Sequence, residues 1–324
     1  MKTISHSDLR SVIEEAHNKF QGITTGHNAN YIPYLAGVDS SLFGIAVALP
    51  SGEVLEVGDT DYVFGIESIS KVPTAILAME QHSANEVLDK IGADATGLPF
   101  NSIMAILMES DSPSTPLVNA GAIAAASMIS PAGDGKLKWQ AIVGNIAALC
   151  GGEVSVIDEL YESESATNFN NRSIAWLLKN YGKIYDDPEL SLDLYTKGCS
   201  VGVTTKELAI MGATIACGGV NPVSGVRVFR GELSPKIISL IATVGFYQNT
   251  GRWLFTSGIP AKTGVGGGVL GVVPSMATRG FGIAAFSPPL DQAGNSVRAQ
   301  KAIEYITKSL GINIFNGEPI YFEK

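Results

Sequence analysis

Residues 65–74 read GIESISKVPT, a stretch in which Ser68 and Ser70 stand close to Lys71 at the edge of an apolar run. Ser68 and Lys71 are spaced so that on a helical turn they share a face, whereas Ser70 adjoins the lysine in sequence and points elsewhere. Pro73 suits a helix start but disfavours α geometry at Val72, so a tight or irregular first turn is expected. Alone, so short a pattern is most often a serine cap before a helix, with the lysine in solvent. The rest of the chain decides whether it is more.

The chain of 324 residues is long enough for a sizeable core, and its composition, 45% apolar and only 16% charged, is that of a folded globule rather than a disordered segment. The net charge of -9 comes with no Lys/Arg cluster that could follow a phosphate backbone, which argues against a nucleic-acid partner. The opening residues, MKTISHSDLRSVIEEAHNKF, carry no apolar signal region, and nowhere do eighteen apolar residues run together. The expectation is a cytoplasmic protein with no membrane partner. Cys150, Cys199 and Cys217 lie inside apolar segments without metal-type spacing and read as buried small hydrophobes in a reducing compartment.

Leu9, Val12, Ile13, Ala16 and Phe20 mark one face of an N-terminal helix, and the β-rich runs on either side of Pro50-Ser51-Gly52 read as a hairpin. From about Ile76 to Gly219 the period changes, and AILAMEQ, SIMAILMES, NAGAIAAASMI, WQAIVGNIAALCGG, RSIAWLLKN and TTKELAIMGATIACGG all look helical. The last opens with Thr204 and Glu207 at capping-box spacing and closes on Gly218-Gly219. Beyond it GRWLFTSGIPAKTG, GGVLGVV and GFGIAAFSPP return to strand character, and VRAQKAIEYITKSLG gives a terminal amphipathic helix. The expected organisation is one sheet unit built from residues 1–72 and 220–324, with residues 73–219 inserted as a helical subdomain.

A Ser-His-Asp triad is poorly supplied, because His6, His17, His27 and His82 all fall early in the chain. A lysine base needs less. Enzymes that recognise penicillin combine Ser-x-x-Lys with a polar triplet and then Lys-Thr-Gly in that order. Here PLVNAGAI offers Asn119 and PAKTGVGGG supplies Lys262, Thr263 and Gly264. Gly266, Gly268 and Gly271 also satisfy G-x-G-x-x-G, but β-branched residues and Pro274 follow where that fingerprint needs a helix, so a dinucleotide site is rejected.

Together these segments resemble the serine-dependent glutaminases, which share the fold of β-lactamases and penicillin-binding proteins. The resemblance covers almost the whole chain, from YIPYLA through ESISKV, PLVNAGAI, SESATNFNNRSIAWLL, LDLYTKGCS, VGFYQNTG and PAKTGVGGG to SPPLDQAGNSV. It implies an α/β (α+β) fold of β-lactamase/transpeptidase type, an antiparallel sheet flanked by helices with an inserted all-helical subdomain. It further implies Ser68 as nucleophile, Lys71 as its base, and a pocket for L-glutamine formed by Tyr31, Asn119, Glu164, Asn171, Tyr195, Tyr247 and the backbone of Val265. Tyr247 is a plausible proton shuttle, and Lys262 an electrostatic bystander or oxyanion aid. No cofactor and no metal are implied, and a homodimer or homotetramer is expected.

Glutamine presents an ammonium, a carboxylate and a neutral amide. Glu164 suits the first, while Asn119, Asn171 and Tyr195 can hydrogen-bond the carboxylate and backbone-like edges. The spacing of Glu164 to Asn171 puts both on one face of a continuous helix, though the Thr/Asn-rich stretch between them could equally be a loop leading into one. The family pattern has glutamine before the nucleophilic serine, where this chain has Glu67. A carboxylate there can pair with Lys71 and favour its charged form, so Glu67 is expected either to point away or to move activity to higher pH. The competing functions are a β-lactam or amide/ester hydrolase using the same Ser68 and Lys71, normally outside the cytosol, and a catalytically inactive binding protein on the same scaffold.

Overall fold

The hairpin around Gly52 forms as Gly44–Ala48 and Val54–Gly58, closed by a bond of 2.8 Å from Leu49 N–H to Glu53 O, with Gly52 at φ +92°. A computed structural model describes residues 2–108, 114–274, 280–316 and 320–322. In it the hairpin is one edge of a five-stranded antiparallel sheet, whose spatial order continues through Phe281–Phe286 and Gly268–Val273 to Ala261–Thr263. The sheet is therefore built from both ends of the chain.

Alternate residues of these strands enter two different cores. Ile45, Val47, Val269 and Ile283 pack with Leu9, Ile13, Ile303 and Ile306 from the helices His6–Phe20 and Val297–Ser309. Ala46, Ala48, Leu270 and Ala284 face the opposite way, toward Leu208, Ala209 and Met211 of the helix Thr205–Ala216. With both faces covered, the strands read as apolar runs rather than as polar/apolar alternation. The helix Thr205–Ala216 meets the sheet backbone to backbone: a Cβ on Gly282 would lie 2.0 Å from Ala209 O, so only glycine fits there. Both halves of its expected capping box are present, from Glu207 N–H to Thr204 Oγ1 and from Thr204 N–H to Glu207 Oε2.

On the far side of that helix lie Lys71–His82, Ala84–Ile91, Asn119–Met128, Gly135–Cys150, Asp158–Thr167, Phe169–Asn180 and Pro188–Cys199. Of SIMAILMES, the structure gives the helix Ile103–Met108; Glu109 and Ser110 lie outside the described residues. Gly268–Val273 runs as a strand where the dinucleotide fingerprint needs a helix.

GRWLFTSGIPAKTG is corrected. Thr250–Ser257 is a helix ended by left-handed Gly258, and only Ala261–Thr263 is strand. The helix is fixed by Trp253, which stacks on Phe246 and donates its indole N–H to Ile259 O at 2.8 Å. A parallel pairing of Lys2–Ile4 with Ile320–Phe322 was also not anticipated.

Candidate active site

Phe64–Gly65 pairs with Val201–Val203, and Ile66 N–H donates to Val201 O at 2.8 Å, so the chain is clamped just before the serines. Glu67–Ser70 then forms a single 3-10 turn and Lys71–His82 continues as α-helix, the tight start that Pro73 led us to expect. Glu67 enters this turn at φ +52°, a conformation that costs a residue with a side chain about 1–3 kcal/mol and persists only where the surroundings impose it. One imposing neighbour is the Lys-Thr-Gly strand end: a Cβ on Gly264 would lie 2.9 Å from Ile66 O.

Lys71 Nζ lies 2.8 Å from Ser68 Oγ and donates to Asn119 Oδ1 at 2.7 Å, and Asn119 Nδ2 donates in turn to Asn171 Oδ1 at 2.8 Å. Lys71 is 1% exposed and forms no ion pair with any described residue. Burial pushes its pKa down to about 8, against the opposing fields of Cys199, Glu67 and Glu164. Glu67 does not pair with the lysine. Its carboxyl turns to that of Glu164, and burial together with this neighbour raises it well above the usual carboxylate range. Of the two outcomes expected for Glu67, the side chain points away, and only an ionised Glu67 would oppose neutralisation of Lys71.

Glu164 lies on Asp158–Thr167 and Asn171 on Phe169–Asn180, two helices broken at Asn168. The break separates their partners: Asn171 joins Asn119, and Glu164 joins Glu67. Glu164 is buried, and its pKa rises to about 7 mainly through desolvation. Asn119 is the first residue of its helix rather than a cap, which leaves its amide free to reach Lys71.

Tyr247, also at a left-handed φ of +52°, stacks on Phe100 and donates to Thr263 O at 3.5 Å, with the Ser68 hydroxyl facing it. Its phenol is raised well above the usual range, chiefly by burial. Lys262 is fully buried, donates to Thr263 O at 2.8 Å and lies 4.7 Å from the Tyr247 ring centre; burial and then the charge of Lys71 depress it strongly. Val265 packs with Tyr247 in the turn after Thr263, and Tyr195 lies with its ring centre 5.8 Å from Lys71 Nζ. Tyr31 is 57% exposed yet feels the carboxyls of Glu67 and Glu164, which places it at the mouth. A cleft of about 810 Å³ outside it shares only Tyr31 with the proposed pocket residues.

The site residues implied by the resemblance converge on this centre. Cys199 was missed as a neighbour, although it follows Tyr195 at i,i+4 spacing on one helix. Phe100 had no signal at all. His6, His17 and His82 find partners elsewhere, in Glu53, Phe43 O and Met128 O.

A buried serine beside a buried lysine, with Lys-Thr-Gly pressed against their turn, sits in a fold of β-lactamase-like type. A glutaminase family model matches residues 26–315. A protein named glutaminase from Parabacteroides distasonis is 62% identical over 319 residues, covering 98% of each chain, and glutaminase 1 of Shigella flexneri is 46% identical over 95% of this chain and 98% of its own. The solved structure of probable glutaminase ybaS superposes with a TM-score of 0.94 at 46% identity, covering 97% of this chain and all of that one. A structure of Mglu in its glutamate form gives 0.89 at 34% identity, covering 95% of this chain and 70% of its own. The chain belongs to the glutaminase family. It is an amidohydrolase acting on a linear amide. No described helix is long and apolar enough to cross a membrane.

Proposed function

We propose that the chain hydrolyses the side-chain amide of L-glutamine through an acyl-enzyme on Ser68, with Lys71 as the base. The observation that carries this reading is the 2.8 Å contact of Lys71 Nζ with Ser68 Oγ at a lysine whose burial favours the neutral amine. Neutral Lys71 takes the Ser68 proton as Oγ attacks the amide carbon, and the N–H groups of Ser68 and Val265 hold the developing oxyanion. The tetrahedral centre collapses with loss of ammonia, its nitrogen receiving a proton through Tyr247. Water then adds to the ester carbon, and the C–Oγ bond breaks to release L-glutamate and restore the serine. Glu164 receives the substrate's α-ammonium. Asn119, Asn171 and Tyr195 hold its carboxylate edge, Tyr31 closes the mouth, and Lys262 adds positive potential near the oxyanion.

Ammonia and glutamate should appear from L-glutamine without added metal or nucleotide, and a glutamine-like electrophile should add its mass to the Ser68 peptide. A Ser68→Ala protein that still turns over, or label on a cysteine, would sink the assignment.

We further infer that the sheet unit 1–72 and 220–324 carries 73–219 as a helical insertion, with Thr205–Ala216 as the crossing element. The origin of the five-stranded sheet in residues 44–58 and 261–286 supports this. A cytoplasmic setting without nucleic-acid or membrane partners is supported by the net charge of -9 and three buried cysteines, none in a disulfide. A homodimer or homotetramer is supported by the exposed Met104, Leu107, Phe169 and Trp176 on two packed helices, and sedimentation tests it.

A further inference from the structure

The carboxyls of Glu67 and Glu164 meet inside the protein immediately behind the nucleophile. Their oxygens lie within 4.8 Å of each other and of Cys199 Sγ, and the residues are only 3% and 8% exposed. Glu67 Oε1 and Glu164 Oε1 have no conventional donor among the described residues. Two carboxylates in contact and out of water repel strongly, and each lacks a donor; one proton between them removes both penalties at once. Glu67 is the more deeply buried of the two, so the loss of water weighs most on its charged form. The left-handed φ of Glu67 and the close approach of Gly266, where a Cβ would lie 3.1 Å from Glu67 Cγ, confine its side chain.

Resting on the reading of Glu164 as the ammonium acceptor, we infer that Glu67 is a positioning residue that works as a neutral acid: its carboxyl O–H donates to Glu164 and aims that carboxylate at the substrate's α-ammonium. The arrangement has a second effect on the base. An ionised Glu67 would favour the charged form of Lys71, so keeping the proton on Glu67 leaves the lysine free to be neutral. The other ionisable groups facing this pair are Cys199 and Tyr195 on Pro188–Cys199, Tyr31 at the mouth and Tyr247, while Lys262 interacts with Lys71 and Cys199 instead. The thiol and all three phenols are pushed up, so they stay neutral where Lys71 titrates, and Lys262 is pushed down.

The test compares Glu67→Gln, which keeps a donor and cannot ionise, with Glu67→Ala, which removes the donor. Glu67→Gln should keep KM for L-glutamine within about twofold of wild type and leave the acid limb of kcat in place, because the carboxyl it replaces is already neutral. Glu67→Ala should raise KM about tenfold, the scale of one charge-assisted hydrogen bond, with a smaller change in kcat. Independently of activity and of whether Glu67→Ala folds, isotope-edited infrared difference spectra should show a protonated carboxyl band at neutral pH that disappears in Glu67→Gln. Absence of that band, an acid limb moved to lower pH in Glu67→Gln, or folded Gln and Ala variants with equal KM would overturn the inference. If the wild type released no ammonia from glutamine while the band was present, the failure would lie with the proposed reaction and not with the proton on Glu67.

Discussion

Lys71 and Lys138 are both fully buried, yet they are buried on different terms. Lys138, near the start of Gly135–Cys150, pairs with Asp186 and donates to Ser127 O at 2.9 Å, and Asp186 also accepts from Gly133 N–H at 2.8 Å. Burial alone would raise Asp186, but the Gly133 and Lys138 bonds outweigh it and hold the carboxyl below the usual range. Among the described residues, Lys71 has only the neutral oxygens of Ser68 and Asn119 for hydrogen-bonding partners. The same side chain at the same depth is thus a locked ion pair in one place and a candidate base in the other. The neighbours decide which, not the burial.

Exchanging each lysine for methionine should break the comparison most sharply. Lys71→Met should cut kcat on the order of a thousandfold or more, the scale seen when a member of a nucleophile–base unit is lost. Its stability at neutral pH should hold or rise, because a partly charged amine no longer has to be desolvated. Lys138→Met should do the opposite. It leaves Asp186 charged and unpaired, which typically costs about 3–5 kcal/mol, while turnover per folded molecule stays near wild type. Ammonia release paired with denaturant melts reads both quantities, and a Lys71→Met protein as unstable as Lys138→Met would erase the distinction.

Glu164 sharpens it next, as the charged group that this region holds ready for a substrate cation rather than for a lysine. Glu164→Gln should lower kcat/KM for L-glutamine roughly ten- to a hundredfold and narrow the gap to an analogue lacking the α-amino group. Glu162 is exposed on the same helix, and Glu162→Gln should change little. A reversed pattern would mean that the ammonium site is wrongly placed along the helix.

The pH dependence is a gentler probe of the same difference. Lys71 has a folded pKa of about 8, below the ordinary lysine value of about 10.4, so between them the unfolded chain holds more protons and stability rises with pH. Turnover should climb through about pH 8 as the amine becomes neutral, with Lys71→Met flattening the stability rise. Asp186, held low, contributes stability above the ordinary carboxylate range and loses it as pH falls through its folded value. Urea melts across pH should therefore show two separate slopes, each removed by its own substitution.

Much of this was legible in the chain. The hairpin at Gly52, the strands Gly268–Val273 and Phe281–Phe286 and the Thr204 capping box follow from local period and turn chemistry. Thr250–Ser257 was misread because a short run rich in Trp, Leu and Phe has no helix signature of its own, and its helix rests on Trp253 packing against Phe246. The spacing of Ser68 to Lys71 was readable and Asn119 followed from the order of motifs, whereas Asn171 entered through family resemblance and meets Asn119 only by tertiary packing. The direction of Glu67 was beyond the sequence. It depends on a left-handed backbone and on a carboxyl brought from a distant helix.

Ser70 gives the smallest and most discriminating expectation. It is as buried as Ser68, at 3% against 5% exposure, and adjoins Lys71 in the chain. Its hydroxyl nevertheless turns away, donating to Cys199 Sγ over 3.7 Å, a long contact with a weak acceptor. Ser70→Ala removes that one contact and leaves the Cβ in place, so it should cost no more than about 1 kcal/mol of stability. Lys71 Nζ keeps both Ser68 and Asn119, so kcat should stay within about threefold of wild type, a shift in barrier well under 1 kcal/mol. A thousandfold loss in a folded Ser70→Ala protein, with Ser68→Ala still active, would transfer the nucleophile to Ser70 and require Lys71 to reach it in a different turn geometry from the one described.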